Sequence, residues 1–122
     1  MKKCLILFLA LALTAVCLTA VADEYKAGAY EATANGHNGP VSVRAEFSDD
    51  AILSVTVADH QETPVISDLA LSRIPEEIVR FQSLAVDSVS GATFTSIAVK
   101  NAVADAVAQA GGDASALRKA PV

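Results

Sequence analysis

The chain has 122 residues, room for one core of ordinary size and too few for two. Nine Lys and Arg stand against 14 Asp and Glu, a net charge of −5 that argues against a nucleic-acid backbone as partner. Aromatic residues make up only 5% and Trp is absent, so a base-stacking array or aromatic cage is disfavoured.

The first 22 residues read as an export signal. Met1-Lys2-Lys3 is a positive start, Cys4 to Val21 carries no charge, and Ala20-Val21-Ala22 puts small residues at the two cleavage-setting positions. An uncleaved membrane anchor competes, because 18 uncharged residues are about enough to span a bilayer. The small-residue pattern lies where the apolar run stops, which favours cleavage after Ala22 and an exported domain, periplasmic or on the cell surface. Acylation at Cys17 is disfavoured by the bulky Val16 before it. Cleavage removes Lys2, Lys3, Cys4 and Cys17, leaving seven basic against 14 acidic residues, or −7. A mature chain without cysteine has no disulfide framework and no thiolate metal site.

Residues 23–29 form a lead-in. Tyr30 to Ala34 begins a period-two pattern, followed by the turn cluster Asn35-Gly36-His37-Asn38-Gly39-Pro40. Val41, Val43, Ala45 and Phe47 then alternate with Ser42, Arg44 and Glu46, as in a half-buried strand. After Ser48-Asp49-Asp50, Leu53, Val55 and Val57 alternate with Ser54, Thr56 and Ala58. Short connections make this an antiparallel meander. Asp59 to Pro64 reads as a loop, Asp68 to Arg73 as a short helix, and Pro75-Glu76-Glu77 as the start of a second, running to about Gln82. The clearest helix carries Val99, Val103 and Val107 with Ala102, Ala106 and Ala110 on one side, and Lys100, Asn101, Asp105 and Gln109 on the other. Gly111-Gly112 ends it, and residues 113–122 read as a frayed tail. The fold class is therefore α+β: a meander with short helices and a C-terminal amphipathic helix on the sheet.

Ser90-Gly91-Ala92-Thr93-Phe94-Thr95-Ser96 runs directly into that helix, with four hydroxyls in seven residues. A glycine beside free helix N–H groups makes an anion site from Thr93 to Ser96; ordinary capping by Thr95 or Ser96 is the plainer alternative. Phe47 and Phe81 read as core, as does Phe94, with a ligand contact the less favoured role for Phe94. His37 and His60 show no metal-ligand spacing.

Asp87-Ser88-Val89-Ser90-Gly91-Ala92-Thr93 resembles the flavinylation motif Asp-x-x-Ser/Thr-Gly-Ala-Ser/Thr of the small FMN-binding domain family. That domain occurs in sodium-pumping NADH:quinone oxidoreductase subunits, in related ferredoxin-linked complexes and in fumarate-reductase-like flavoproteins. Tyr30-Glu31, His37 to Val41, His60 to Pro64 and Gln82-Ser83 follow the family's order, so the resemblance spans about residues 26–110. It implies FMN joined through its phosphate to Thr93, a covalent phosphoester placed there by a flavin transferase using FAD. It implies cofactor contacts from Ser90, Gly91, Ala92, Thr95, Ser96, His60, Glu62 and Thr63. It implies transferase recognition of Asp87, for which a turn-stabilising role is the alternative. Val65 and Ser67 stand where the family often has glycine, which puts a side chain near the expected ring.

These readings divide the chain into a signal (1–22), an FMN-binding domain (23–112) and a tail (113–122). The implied function is electron transfer between a membrane quinone-linked donor and an extracytoplasmic reductase. Two alternatives are the FMN-bearing subunit of a separately encoded fumarate-reductase-like enzyme, and a flavin-binding sensory module without turnover.

Overall fold

The computed structural model describes residues 24–62 and 64–122; residues 1–23, with the expected signal, and Thr63 lie outside them. Three strands, β1 (Gly28–Asn35), β2 (Pro40–Phe47) and β3 (Ile52–Asp59), form an antiparallel sheet in the order β1-β2-β3. The alternation of β2 sets the register: Val43 faces Ala32 on one side and Val57 on the other, and Ala45 faces Tyr30 and Val55. Val41, Val43, Ala45 and Phe47 point into the core, while Arg44 and Glu46 pair at 3.6 Å on the solvent face.

The third strand departs from strict alternation. The register slips between Glu46 and Phe47, so that Ile52 pairs with Phe47 and is buried, while Leu53 turns outward, 57% exposed. A bulge of this kind adds one residue and reverses the faces beyond it.

The region expected to hold two helices holds one. Helix α1 (Asp68–Phe81) runs through Pro75, which is itself buried. Proline cannot donate to Leu71 and this normally breaks a helix, but Ala70, Ile74 and Ile78 bury one continuous face against β3 and hold both halves in line. Gln82 ends α1 in the left-handed region at φ 51°. Its amide accepts from Ile52 N at 2.8 Å and donates to Ile52 O at 2.9 Å, which pins the helix to the start of β3.

Helix α2 (Thr93–Gln109) packs on β1 and β2 with Val99, Val103, Val107, Ala98, Ala102 and Ala106 fully buried. Side chains this small let the helix sit close to the sheet. Its end is a Schellman turn: Gly111, at φ 85°, donates to Ala108 O and Gly112 to Val107 O.

The tail is docked rather than frayed. Asp113 caps a short helix α3 (Ala114–Arg118) by accepting from Ser115 N and Ala116 N. The buried Ser83 hydroxyl donates to Leu117 O and Ala120 O, and Leu84 N donates to Leu117 O. No described helix is long and apolar enough to cross a membrane.

Candidate functional site

The loop after α1 delivers the Ser-Gly-Ala-Thr segment to the head of α2. Gly91 adopts φ 84°, a conformation that disfavours side chains, although a Cβ there would meet nothing within 4 Å. The helix begins at Thr93, so Ala92 is the cap residue and offers no side-chain acceptor. Capping by Thr95 or Ser96 is therefore corrected: both lie inside the first turns. The Ser96 hydroxyl is buried, donating to Ala92 O at 2.8 Å and accepting from Val89 N at 3.0 Å. It locks the loop onto the helix and is not part of the cleft wall. The opening N–H groups of α2 thus carry no side-chain cap, the condition for an anion at a helix N-terminus.

The other side of the site is built on Glu62, only 4% exposed. Its carboxylate accepts from His37 N at 2.8 Å, Asn38 N at 2.7 Å and Thr95 Oγ1 at 2.6 Å. Three elements meet at that one group: the β1–β2 turn, the segment after β3 and the first turn of α2. A Cβ on Gly36 would run into Glu62 Oε1, which is why the turn carries glycine there. Burial alone would raise the Glu62 carboxyl, but the donors from Thr95, Asn38 and His37 outweigh it and hold it below its ordinary 4.5. Glu62 is charged at neutral pH.

Between these walls lies a cleft of about 400 Å³. Glu62, Asn38 and Thr95 line it with Gly91, Ala92 and Thr93, and Thr93 is exposed at the first helical position. Ile66 and Phe94 stand at the mouth. Phe94 is 64% exposed, which corrects its assignment to the core: the second residue of α2 points away from the sheet that buries Ala98 and Val99. Its ring instead stacks beside His37.

The structure brings Glu62, Gly91, Ala92, Thr93 and Thr95 together. Ser90 and Ser96 do not line the cleft, nor does His60, whose exposed ring accepts from Glu62 N through Nδ1 at 3.2 Å. Asp87 sits apart, exposed on the loop, where Lys100 donates to Val86 O and Ser88 Oγ on either side of it. Burial pushes the Lys100 ammonium down against the pull of Asp87. His37, Ile66, Ser67 and Phe94 are wall residues that patterning did not assign. The histidine and aromatic beside the two motifs were the available signal. Among the described residues no group of His, Cys, Asp or Glu could hold a metal ion.

An α+β domain with an uncapped helix N-terminus over an open, part-polar cleft is a class suited to an anionic, amphipathic ligand. The chain belongs to the FMN-binding domain family, whose model matches residues 36–108. It is 42% identical over 95 residues to an NADH:acrylate oxidoreductase of Vibrio harveyi, covering 78% of this chain and 10% of the relative. It is 44% identical over 80 residues to an uncharacterized protein of Treponema pallidum, covering 66% and 22%. It is 33% identical over 93 residues to a urocanate reductase of Eggerthella lenta, covering 76% and 15%. The chain thus spans a quarter or less of the length of these relatives.

Proposed function

We propose that this chain carries FMN as a phosphoester on Thr93 and serves as an exported electron-transfer protein. The observation that supports this most is the placement of Thr93: an exposed hydroxyl at the first position of a helix without a side-chain cap, on the wall of the cleft. The residues fit the group. An esterified phosphate keeps one negative charge, which the opening N–H groups and the helix dipole favour. Gly91 leaves open space beside it.

Attachment by a flavin transferase balances as a transfer from FAD. The Thr93 oxygen forms a bond to the FMN phosphorus, the pyrophosphate bond breaks, AMP leaves and the hydroxyl proton is released. Asp87, exposed between the two Lys100 contacts, is the residue such an enzyme would read. When bound, the flavin supplies exchange between two-electron and one-electron partners. The protein's own residues attach and orient it: Thr95 and the β1–β2 turn are held by Glu62, and the loop is held by Ser96. A tether also suits an exported carrier, because a dissociating cofactor would be diluted away. The partners on this reading are a membrane quinone-linked donor and an extracytoplasmic reductase, with the leader cleaved after Ala22 or kept as an anchor.

A second reading, favoured by coverage, is a redox subunit. On this reading the partner is a separately encoded fumarate-reductase-like chain; an NADH:acrylate oxidoreductase and a urocanate reductase contain a segment similar to this chain.

Intact mass of the protein from its host, or co-expressed with a flavin transferase, tests the assignment. The expected result is one added FMN on the peptide holding Thr93 and none in Thr93→Ala. The same added mass in Thr93→Ala would overturn it.

A further inference from the structure

The mouth of the cleft is apolar on two sides. On one side Phe94 stands largely exposed, its ring centroid 5.7 Å from that of His37 and tilted by 17°. On the other, Ile66 lines the cleft at 59% exposure beside Val65 at 83%. Val65 holds φ 73°, a left-handed backbone that a β-branched residue adopts only against strain. Strain of this kind persists where the surrounding structure enforces it, and it concentrates at ligand clamps. Leu69, at the start of α1, and Ile97, one turn beyond Phe94 in α2, are exposed as well. Phe94 and Ile66 line the cleft with most of their surface exposed, and Val65 adjoins Ile66; apolar groups gathered at a cleft mark a place where an apolar ligand surface binds.

We propose that Phe94 with His37, and Val65 with Ile66, form a two-sided clamp for the isoalloxazine ring, with Phe94 as the stacking face. This rests on the reading that FMN is held at Thr93. Adjacency supports it: tether and stacking ring come from consecutive residues on the first turn of α2, so a flavin fixed at Thr93 is delivered beside Phe94. The uncapped N–H groups of α2 suit the phosphate and the apolar side chains of Phe94 and Ile66 suit the ring, so one ligand satisfies both. Phe94 and Val65 are then positioning residues that set how much water reaches the flavin.

Flavin fluorescence quenching by iodide reads that exposure directly. Wild type, Phe94→Ala, Phe94→Leu and Val65→Gly are compared at matched flavin content, fixed by intact mass. Loss of the stack should raise the solvent-open fraction of the ring about threefold to tenfold in Phe94→Ala. Phe94→Leu should lie between, and Val65→Gly should show a smaller rise. Quenching equal to wild type in Phe94→Ala and Val65→Gly overturns the clamp while leaving the phosphoester intact. If wild type carries no added mass, the phosphoester reading falls and the clamp is judged on unmodified chains titrated with free FMN. Equal affinity of wild type and Phe94→Ala, or binding by neither, then overturns it.

Discussion

Glu62 illustrates how one buried charge can organise a site without touching chemistry. Three donors converge on its carboxylate, two from the β1–β2 turn and one from the first turn of α2. Glu62→Gln must turn an amide NH₂ toward at least one of them, leaving a buried donor unmatched at a cost of about 2 kcal/mol at neutral pH. The pH dependence has a definite sign. A carboxyl held below its unfolded value adds stability that is present above 4.5 and lost as pH falls through the lower folded value. Urea unfolding of wild type should therefore weaken on acidification below that point, while Glu62→Gln falls less and the gap between them narrows. A gap that stays constant down to about pH 3 would show that the carboxylate is not the acceptor the geometry makes it. None of these partnerships was legible in the sequence. Glu62 stands 24, 25 and 33 residues from its donors, and only tertiary folding brings them within reach.

At the scale of elements, the junction between α1 and the C-terminal segment is held by Ser83. Its buried hydroxyl donates to Leu117 O and Ala120 O and accepts from Ala85 N at 2.9 Å. Ser83→Ala leaves Ala120 O and Ala85 N without that partner, while Leu117 O keeps Leu84 N, at a cost of about 1–3 kcal/mol, and should release α3 selectively. Hydrogen exchange checks this: protection of residues 114–118 should drop while α2 stays protected, and equal protection in both proteins would refute it. The same elements mark where patterning succeeded and where it stopped. Strand β2 was legible because Val41, Val43, Ala45 and Phe47 are all buried, and β1 because Tyr30, Ala32 and Ala34 are buried or half-buried while Glu31 and Thr33 are exposed. The bulge at Leu53 was not, because Leu53, Val55 and Val57 continue an unbroken period of two while the register slips beneath them. Proline at position 75 reads as a helix start in isolation; only the burial of Ile74 and Ile78 together shows that the helix continues through it. The tail looked frayed because its anchors are backbone carbonyls, which no residue type announces. In the site, glycine and hydroxyls located the head of α2, but a ring facing solvent at Phe94 is indistinguishable by sequence from a ring facing the core.

At the scale of the whole molecule, the cleft and the core share α2. The face that carries Val99, Val103 and Val107 supplies much of the hydrophobic burial against the sheet, and the same helix presents its uncapped end to the cleft. Charge placed at that end therefore acts on global stability and not on a loop alone. A phosphodiester at Thr93 contributes about 0.3–1 kcal/mol through the helix terminus, partly opposed by the nearby Glu62 carboxylate, whose charge is already matched by its donors. For a domain near this size, that corresponds to a rise of about 1–8 °C in melting midpoint for the flavinylated chain over the unmodified one. Calorimetry on the two forms, separated by mass, makes the measurement. The rise should shrink in high salt if it comes from the helix end, because screening weakens an exposed charge–dipole contact. A rise insensitive to salt would instead trace the stabilisation to burial of the ring between Phe94 and Ile66, and identical midpoints would mean that the end of α2 does not hold the phosphate.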